Sequence, residues 1–158
     1  MEPRAWHASL AGVVIAAGAL IRDHDGRVLC VKPNYRDYWT LPGGICELGE
    51  APHLGCAREV TEEVGLVLPI GKLLTVDWQK ALPEYGPSAR PTMYFIFDGG
   101  VLAAGTDIVL QQEELDDYRF EPPDGLANLL APPGLRRARA ALAIPSSAGA
   151  TYLPQQAG

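Results

Sequence analysis

The part of the chain that most constrains its fold runs from Pro-Gly-Gly at positions 42–44 to the glycine at position 65. Proline and paired glycines do not continue regular structure, so we expect a short strand over Tyr38–Gly44 to end in a loop. Pro52 suits a first helical turn and Gly65 supplies a C-terminal stop, which predicts a helix over Pro52–Val64. A loop, a helix and a second loop therefore follow one another here.

Strand-like segments lie on both sides of this helix. The only long apolar run, Leu10–Ile21, is shorter than the roughly 20 residues that a helix needs to cross a bilayer, so we interpret it as a buried strand. Asp25-Gly26 is a turn signal, which makes Arg27–Lys32 its hairpin partner. Later elements are predicted as one or two strands within Leu66–Trp78, a loop over Gln79–Pro91, a strand at Thr92–Phe97, short strands at Asp107–Leu110 and Tyr118–Phe120, and a helix over Gly134–Ile144.

The order of these elements predicts an α+β fold. Strands, a helix, further strands and a second helix follow one another, rather than alternating βαβ units. A chain of 158 residues suits one domain with a real core. We expect an N-terminal arm at 1–9, the domain at 10–144, and a flexible tail at 145–158, whose composition leaves little to bury.

Charge and cysteine content exclude some classes of partner. The formal net charge is -6, from 13 Lys+Arg and 19 Asp+Glu, which argues against general binding to nucleic acid or to anionic membranes. An anionic substrate would therefore need a local positive group, such as a bound cation or a few arginines. Three cysteines with no metal-ligand spacing favour a reducing compartment, so we expect a cytoplasmic protein.

The predicted helix Pro52–Val64 carries a cluster of carboxylates. Glu59, Glu62 and Glu63 occupy about one 100° arc, because successive helical residues are rotated by about 100°. Taken alone, such a face is more often solvated than functional. Oxygen-only ligands nevertheless suit Mg²⁺ or Mn²⁺. The opposite flank, which we expect to be buried, consists of Leu54, Cys56, Ala57, Val60 and Val64.

The surrounding pattern favours the functional interpretation. The chain reads Gly44, five residues, Glu50, seven residues, Arg58-Glu59-Val60, one residue, Glu62-Glu63, one residue, Gly65-Leu66. This resembles the Nudix box at every specified position, and Tyr38-Trp39-Thr40-Leu41-Pro42-Gly43 before it also looks like the family. The box covers 44–66 only. Gly55 and Cys56 depart from the alanines that are frequent there, and the glycine lowers helix propensity by about 1 kcal/mol.

The resemblance implies the family's α/β/α sandwich with a mixed sheet, in which the box forms loop, helix and loop. It also implies Mg²⁺, with Mn²⁺ as the alternative. By resemblance, Glu59 and Glu63 are the principal metal ligands and Glu62 is a further ligand or water holder. The carbonyl of Gly44 completes the shell, and Arg58 orients a glutamate.

The family's mechanism implies further roles. A metal-activated water attacks phosphorus in line and displaces a phosphate. Glu50, with Glu47 beside it, would support the loop by ion pairing, although an acid is also favoured near a helix N-terminus for its charge alone. The general base is either a box glutamate or a later acid. We prefer Glu114 to Glu113, because its spacing to Arg119-Phe120 resembles the family's acid upstream of an Arg-Trp pair; an exposed acidic loop is the competing interpretation.

The substrate is less constrained by the sequence. Trp78, Tyr85 and Tyr94 are candidates to stack on a base, although aromatic residues in strands are more often core. Candidate phosphate contacts, which as surface residues also serve solubility, are Arg36, Arg90 and Lys72.

These expectations combine into one functional hypothesis. We expect hydrolysis of a phosphoanhydride bond in a nucleoside diphosphate linked to another group, which makes a small-molecule nucleotide the partner. Two alternatives stay open: a Nudix domain that senses a nucleotide without turnover, and a diphosphate isomerase. A homodimer is also left open.

Overall fold

A computed structural model of the chain describes residues 1–145 and 148–154, in which seven strands form one mixed sheet. Two of its three α-helices pack on the sheet. In chain order the elements are α1 (Pro3–Ala8), β1 (Val14–Arg22), β2 (Val28–Pro33), β3 (Gly43–Ile45), α2 (Pro52–Val64), β4 (Leu73–Gln79), β5 (Thr92–Val101), β6 (Leu115–Glu121), α3 (Pro132–Leu142) and β7 (Thr151–Pro154).

The sheet has the strand order β6-β2-β1-β5-β4-β7, with β3 paired to β1. β1 runs parallel to β5 over most of its length, in a register that pairs Ala17 with Phe95. The hairpin predicted between the first two strands is present, but β1 and β2 are paired only at Arg22 and Val28. β2 instead pairs along its whole length with β6. The mixed sheet predicted from the sequence is therefore confirmed.

The two longer helices cover opposite faces of the sheet. Alternate residues of a strand point to opposite faces, so Ala19 and Leu20 of β1 enter different cores. Ala19 packs in the cluster that contains Val60 of α2, and Leu20 packs in the cluster that contains Ala138 of α3. The predicted α/β/α sandwich is confirmed.

A buried carboxylate joins α3 to the sheet. Asp77 of β4 is 1% exposed and accepts hydrogen bonds from Arg136 and, at 3.0 Å, from Arg137. The Arg137 guanidinium also lies 3.7 Å from the ring centroid of Tyr94 on β5. This cluster holds the helix over β4 and β5 through charge and cation–π contacts. No sequence motif pointed to it.

The short strand predicted at Tyr38–Gly44 is wrong in its placement. Residues 39 and 40 form isolated bridges, and the strand β3 starts at Gly43, where the Pro-Gly-Gly sequence was expected to end regular structure. Gly43 pairs with Gly18 so closely that a Cβ at Gly43 would lie 2.3 Å from the Ala17 carbonyl oxygen. The glycines allow this strand pairing, because a side chain would not fit.

Other boundaries differ from the predictions. β4 begins at Leu73, so 66–72 contains no strand, and Asp107–Leu110 forms none either. The predicted strand Tyr118–Phe120 is part of the longer β6. α3 begins at Pro132 because two prolines suit the first helical turn. On α2, the predicted buried flank is wrong at Leu54, which is 56% exposed.

The two ends of the chain also contain regular structure. The predicted arm at 1–9 includes the exposed helix α1. The predicted flexible tail includes β7, which forms the edge of the sheet and pairs in parallel with β4, as Val76 with Tyr152. An open strand edge offers unpaired backbone groups, which explains why a segment with little apolar surface is ordered there. The tail's residues 146–147 and 155–158 lie outside the described residues. No helix in the described part of the chain is long and apolar enough to span a membrane.

Gly55 and Cys46 are complementary in shape where α2 packs beside β3. A Cβ at Gly55 would lie 2.6 Å from the Cys46 sulfur and 2.8 Å from Oε1 of Glu50. We therefore expect Gly55→Ala to lower the free energy of unfolding, because overpacking costs about 1–3 kcal/mol and exceeds the gain in helix propensity of about 1 kcal/mol. Urea unfolding at fixed pH measures the change.

The double variant Cys46→Ala/Gly55→Ala provides the control for this prediction. Without the sulfur, the added methyl group still lies close to the Glu50 carboxylate, so part of the loss caused by Gly55→Ala should disappear in this background. Equal effects of Gly55→Ala in both backgrounds would show that the close contact is relieved by another route.

Candidate active site

The carboxylates of α2 face β3 and the loop after it. Glu59 and Glu63 are one turn apart, and the Glu59 side chain is 16% exposed while Glu63 is 8% exposed. Glu62 lies further out, with a side chain that is 48% exposed. The cluster is therefore not a uniformly solvated face, because two of its three acids are removed from most of the water.

Arg58 is the cation to which Glu59 and Glu62 of the cluster are hydrogen-bonded. Its Nε donates to Oε2 of Glu50 at 2.8 Å, and its Nη1 donates to Glu59 at 3.0 Å and to Glu62 at 3.1 Å. Its Nη2 donates to the carbonyl of Ile45 at 3.2 Å. One guanidinium thus connects helix α2 to the end of β3 and to the loop that follows.

Glu50 completes this connection from the loop. The hydrogen bonds from Arg58 and then the backbone N–H of Glu47, at 3.0 Å, lower the pKa of Glu50 to about 2. Glu47 itself lies 3.8 Å from Nε of Arg58 and is largely exposed. Glu50 is therefore ionised at every physiological pH, and its contacts join the loop to the helix.

Glu63 is a buried acid with a strongly raised pKa. Burial raises its pKa to about 8, and the neighbouring carboxylates Glu59, Glu114 and Glu62 act in the same direction. The backbone N–H of Gly43 donates to Oε2 at 3.0 Å, which favours the ionised form but does not offset burial. Without a cation nearby, this carboxyl group is largely protonated at neutral pH.

Glu59 is packed against the backbone of Gly44. A Cβ at Gly44 would lie 2.7 Å from Cδ of Glu59, so only glycine lets the carboxylate approach this closely. Burial raises the pKa of Glu59, and the hydrogen bond from Arg58 opposes that shift. The glycine of the box therefore makes room for an acid of the box helix.

The turn that contains Glu114 reaches the same site. The backbone N–H of Gln111 donates to the carbonyl of Glu63 at 3.0 Å, which holds the segment before this turn against the end of α2. Asn34 holds the other side, since its backbone N–H donates to the Glu114 carbonyl at 2.9 Å. The Glu114 charge raises the pKa of both Glu59 and Glu63. The structure thus brings Glu114 to the α2 acids.

Two residues near the site, Tyr35 and Arg36, were not predicted to border the box. Burial raises the pKa of the Tyr35 phenol. The Arg36 charge opposes this shift, and the charges of Glu114, Glu63 and Glu59 add to it. Arg36 lies over the Tyr35 ring at 5.3 Å. Their position just before the Tyr38–Gly44 segment is the only sequence signal for their proximity to the box.

The chemistry of these donors fits a divalent cation. Glu59 and Glu63 are oxygen donors whose raised pKa values show unrelieved burial and repulsion, and a cation would relieve both. Among the described residues, no three acidic, histidine or cysteine side chains are close enough to form a ready ligand cluster. Such a site suits Mg²⁺, which is commonly held by one or two carboxylates and keeps several waters.

The other candidates lie on several parts of the fold. Tyr94 is on the α3 face under Arg137, whereas Trp78 follows Asp77 on β4 and so points to the same face of the sheet as α2. Tyr85 lies in an exposed 3-10 turn at Pro83–Tyr85. Lys72 binds the carbonyls of residues 145 and 148, and Arg90 packs against Gly12. No hydrogen bond or ion pair described for Trp78, Tyr85, Tyr94 or Arg90 involves the α2 acids.

Comparison with known proteins places the chain in a family. A family model described as the NUDIX domain matches residues 13–142. A MutT-like protein from Streptomyces ambofaciens is 43% identical over 63 residues, which cover 40% of this chain and 40% of that protein. An ADP-ribose pyrophosphatase from Methanocaldococcus jannaschii is 33% identical over 93 residues, which cover 55% and 53%. The chain thus matches about half or less of the length of these relatives.

Solved structures show the same fold. The crystal structure of a MutT protein from Methanosarcina mazei Go1 superimposes with a TM-score of 0.65 at 25% identity. The match covers 81% of this chain and 91% of that one.

The titration of Glu63 predicts how stability depends on pH in the absence of metal. Its pKa is about 8 in the folded protein against 4.5 for the ordinary group, so between these values the folded state holds a proton that the unfolded state releases. In EDTA we therefore expect stability to fall as the pH rises through this window, by an amount on the order of a few kcal/mol.

Urea unfolding at a series of pH values, with Glu63→Gln as the comparison, measures this effect. The variant cannot ionise, so it should be close to wild type at pH near 5 and more stable than wild type above pH of about 8. Glu62→Gln is the matched control, because Glu62 is exposed and is the smallest of the causes that raise the Glu63 pKa, so this variant should keep most of the wild-type slope. A Glu63→Gln variant with the wild-type slope would contradict the assignment of the raised pKa.

Proposed function

Because the chain belongs to the Nudix family, we propose that it is a Mg²⁺-dependent pyrophosphohydrolase that cleaves a nucleoside diphosphate linked to another group. The observation that carries this proposal is the pair of buried acids with raised pKa values, Glu59 and Glu63, beneath the β3 loop. Such a pair is unfavourable without a cation, and it is placed beside a second acid-bearing turn. Mn²⁺ is the alternative ion.

Each residue of the proposed site has a separate role in hydrolysis. A divalent cation, when bound, neutralises charge on the pyrophosphate and lowers the pKa of a water. Glu59 and Glu63 would hold it, with Glu62 and the carbonyl of Gly44 as further oxygen donors. Arg58 keeps Glu59 in position and ties the helix to Glu50 of the loop. Water attacks one phosphorus, the bridging oxygen leaves with the other phosphate, and two monophosphates result.

We assign the general base to Glu114. Its turn is held at both sides by backbone hydrogen bonds, to Asn34 and, through Gln111, to Glu63. The side chain is exposed, so it can reach a water in the open part of the site and release the proton to solvent. Of the two neighbouring acids, Glu114 is the one whose charge acts on the pKa values of Glu59 and Glu63.

The proposed substrate is a nucleotide joined through a diphosphate to a sugar, a nucleotide or a similar group. One relative carries the name ADP-ribose pyrophosphatase, which makes ADP-ribose the first compound to try. We also propose that residues 10–144 form the catalytic domain and that the protein acts in the cytoplasm, in keeping with its three free cysteines.

A panel of substrates tests the function directly. The protein is incubated with Mg²⁺ and nucleotides, nucleotide sugars or dinucleotides, and the products are identified by mass. Two monophosphates from ADP-ribose or a nucleotide sugar would support the proposal, whereas inorganic pyrophosphate would indicate a nucleoside triphosphate. Binding without turnover of any compound would favour the sensing alternative, and an isomeric product of unchanged mass would favour the isomerase.

Loss of either buried acid should nearly abolish turnover. We expect Glu59→Gln and Glu63→Gln each to lower kcat by about a hundredfold or more, because each removes a charged ligand from the phosphate-activating centre. Steady-state kinetics at saturating Mg²⁺ measures the change. Glu84→Gln, an exposed acid on the 3-10 turn, is the control and should keep wild-type kinetics. Near-normal kcat for either site variant would show that the metal ligands are assigned wrongly.

Glu114→Gln should act differently from the ligand variants. If it removes only the base, kcat falls by about a hundredfold or more while the Mg²⁺ concentration for half-maximal activity changes little. Glu113→Gln is the matched neighbour and should retain most activity. An equally small effect of both substitutions would assign the base to a glutamate of α2.

A further inference from the structure

Arg36 lies on the loop after β2, which is hydrogen-bonded to the turn that carries Glu114, and no acid engages its guanidinium. Arg58 is engaged by Glu50, Glu59 and Glu62, whereas Arg36 forms no ion pair within residues 1–145 and 148–154. Its guanidinium lies 5.3 Å from the Tyr35 ring centroid and 5.5 Å from that of Tyr38. A site with an excess of acids therefore has, on its border, a guanidinium that no described carboxylate engages.

The loop that carries Arg36 is held by two sets of hydrogen bonds. Lys32 donates to the carbonyls of Pro33 and Arg36, which holds the loop closed on itself. Asn34 donates to the carbonyls of Glu113 and Glu114, which holds the loop against the turn beside the α2 acids. These contacts fix the backbone, so the Arg36 side chain starts from a defined position.

The guanidinium itself is also held. Its Nη1 donates to the Tyr38 hydroxyl at 3.1 Å, and the two phenol rings restrict where the side chain can go. An arginine that is positioned before binding loses less conformational entropy when it contacts an anion. The Tyr35 phenol is within electrostatic reach of Glu114, Glu63 and Glu59, so this arginine borders the acids and does not lie on a remote surface.

We propose that Arg36 is a substrate-binding residue that contacts the substrate's pyrophosphate from the loop side of the site, with Tyr35 and Tyr38 as positioning residues. This inference rests on the proposed function and names the group that recognises its anionic substrate. The planar guanidinium suits two phosphoryl oxygens at once, which a lysine does not reproduce. It also supplies, on a chain of net charge -6, the local positive group that an anionic substrate needs.

The test uses imidodiphosphate, a pyrophosphate mimic with no nucleoside, so that base recognition does not enter. Calorimetric titration at saturating Mg²⁺ should show Kd raised about ten- to a hundredfold by Arg36→Ala, the range for loss of a charge-assisted hydrogen bond. Arg36→Lys should recover only part of the loss. Tyr38→Phe keeps the ring and loses the hydroxyl, and should weaken binding by less than Arg36→Ala.

Arg139→Ala is the matched control, since Arg139 is an exposed arginine on α3, across the sheet from the site. It should bind imidodiphosphate as wild type does. Kinetics with a turned-over substrate provides a second readout: Arg36→Ala should raise KM more than it lowers kcat, because a contact made equally in ground and transition states affects binding alone.

The outcomes separate this inference from the proposed function. Wild-type turnover together with an unchanged Kd in Arg36→Ala overturns the role of Arg36 and leaves the proposed function standing. Absence of turnover together with weakened imidodiphosphate binding in Arg36→Ala overturns the hydrolase and supports the phosphate contact. Equal weakening by Arg139→Ala, or no binding of imidodiphosphate by wild type, overturns the inference.

Discussion

The guanidinium of Arg58 is the interaction on which the candidate site depends. It binds Glu50 of the loop and Glu59 of the helix in hydrogen-bonding geometry and also reaches the carbonyl of Ile45 at the end of β3. Because these partners lie on three separate segments, one side chain sets the position of the loop, the helix and the strand relative to each other. Its contacts with carboxylates are partly shielded from water, where charge-assisted hydrogen bonds are strong.

One arginine does not neutralise the acids that gather around it. Glu59 and Glu63 keep raised pKa values even with Arg58 and the Gly43 N–H in place, because burial and like charge outweigh the available donors. This remaining imbalance is what gives the site its chemistry. It favours a divalent cation on the helix side, and in the proposal above Arg36 supplies the positive charge for the substrate's anion on the loop side.

The backbone around the acids is as specific as the side chains. Glycines at 43 and 44 let β3 lie against β1 and let Glu59 lie against β3, at distances that exclude any Cβ. Gly55 likewise makes room for the side chain of Cys46, which follows β3. The departure from alanine in the box helix is therefore matched by a larger side chain in the loop, and the helix keeps its position.

Local sequence determined the elements that local forces control. The helix Pro52–Val64 has the predicted bounds, because its proline start and its left-handed glycine end act within one turn of the chain. The arc of Glu59, Glu62 and Glu63, and the family itself, also follow from spacing along the chain. Only the tertiary structure decided that Glu63 is buried and Glu62 exposed, that Tyr35 and Glu114 border the same acids, and that Tyr94 lies beneath Arg137 on the opposite face. These outcomes depend on which distant segments pack together, as do the strands β3 and β7, whose partners on β1 and β4 lie far away in sequence.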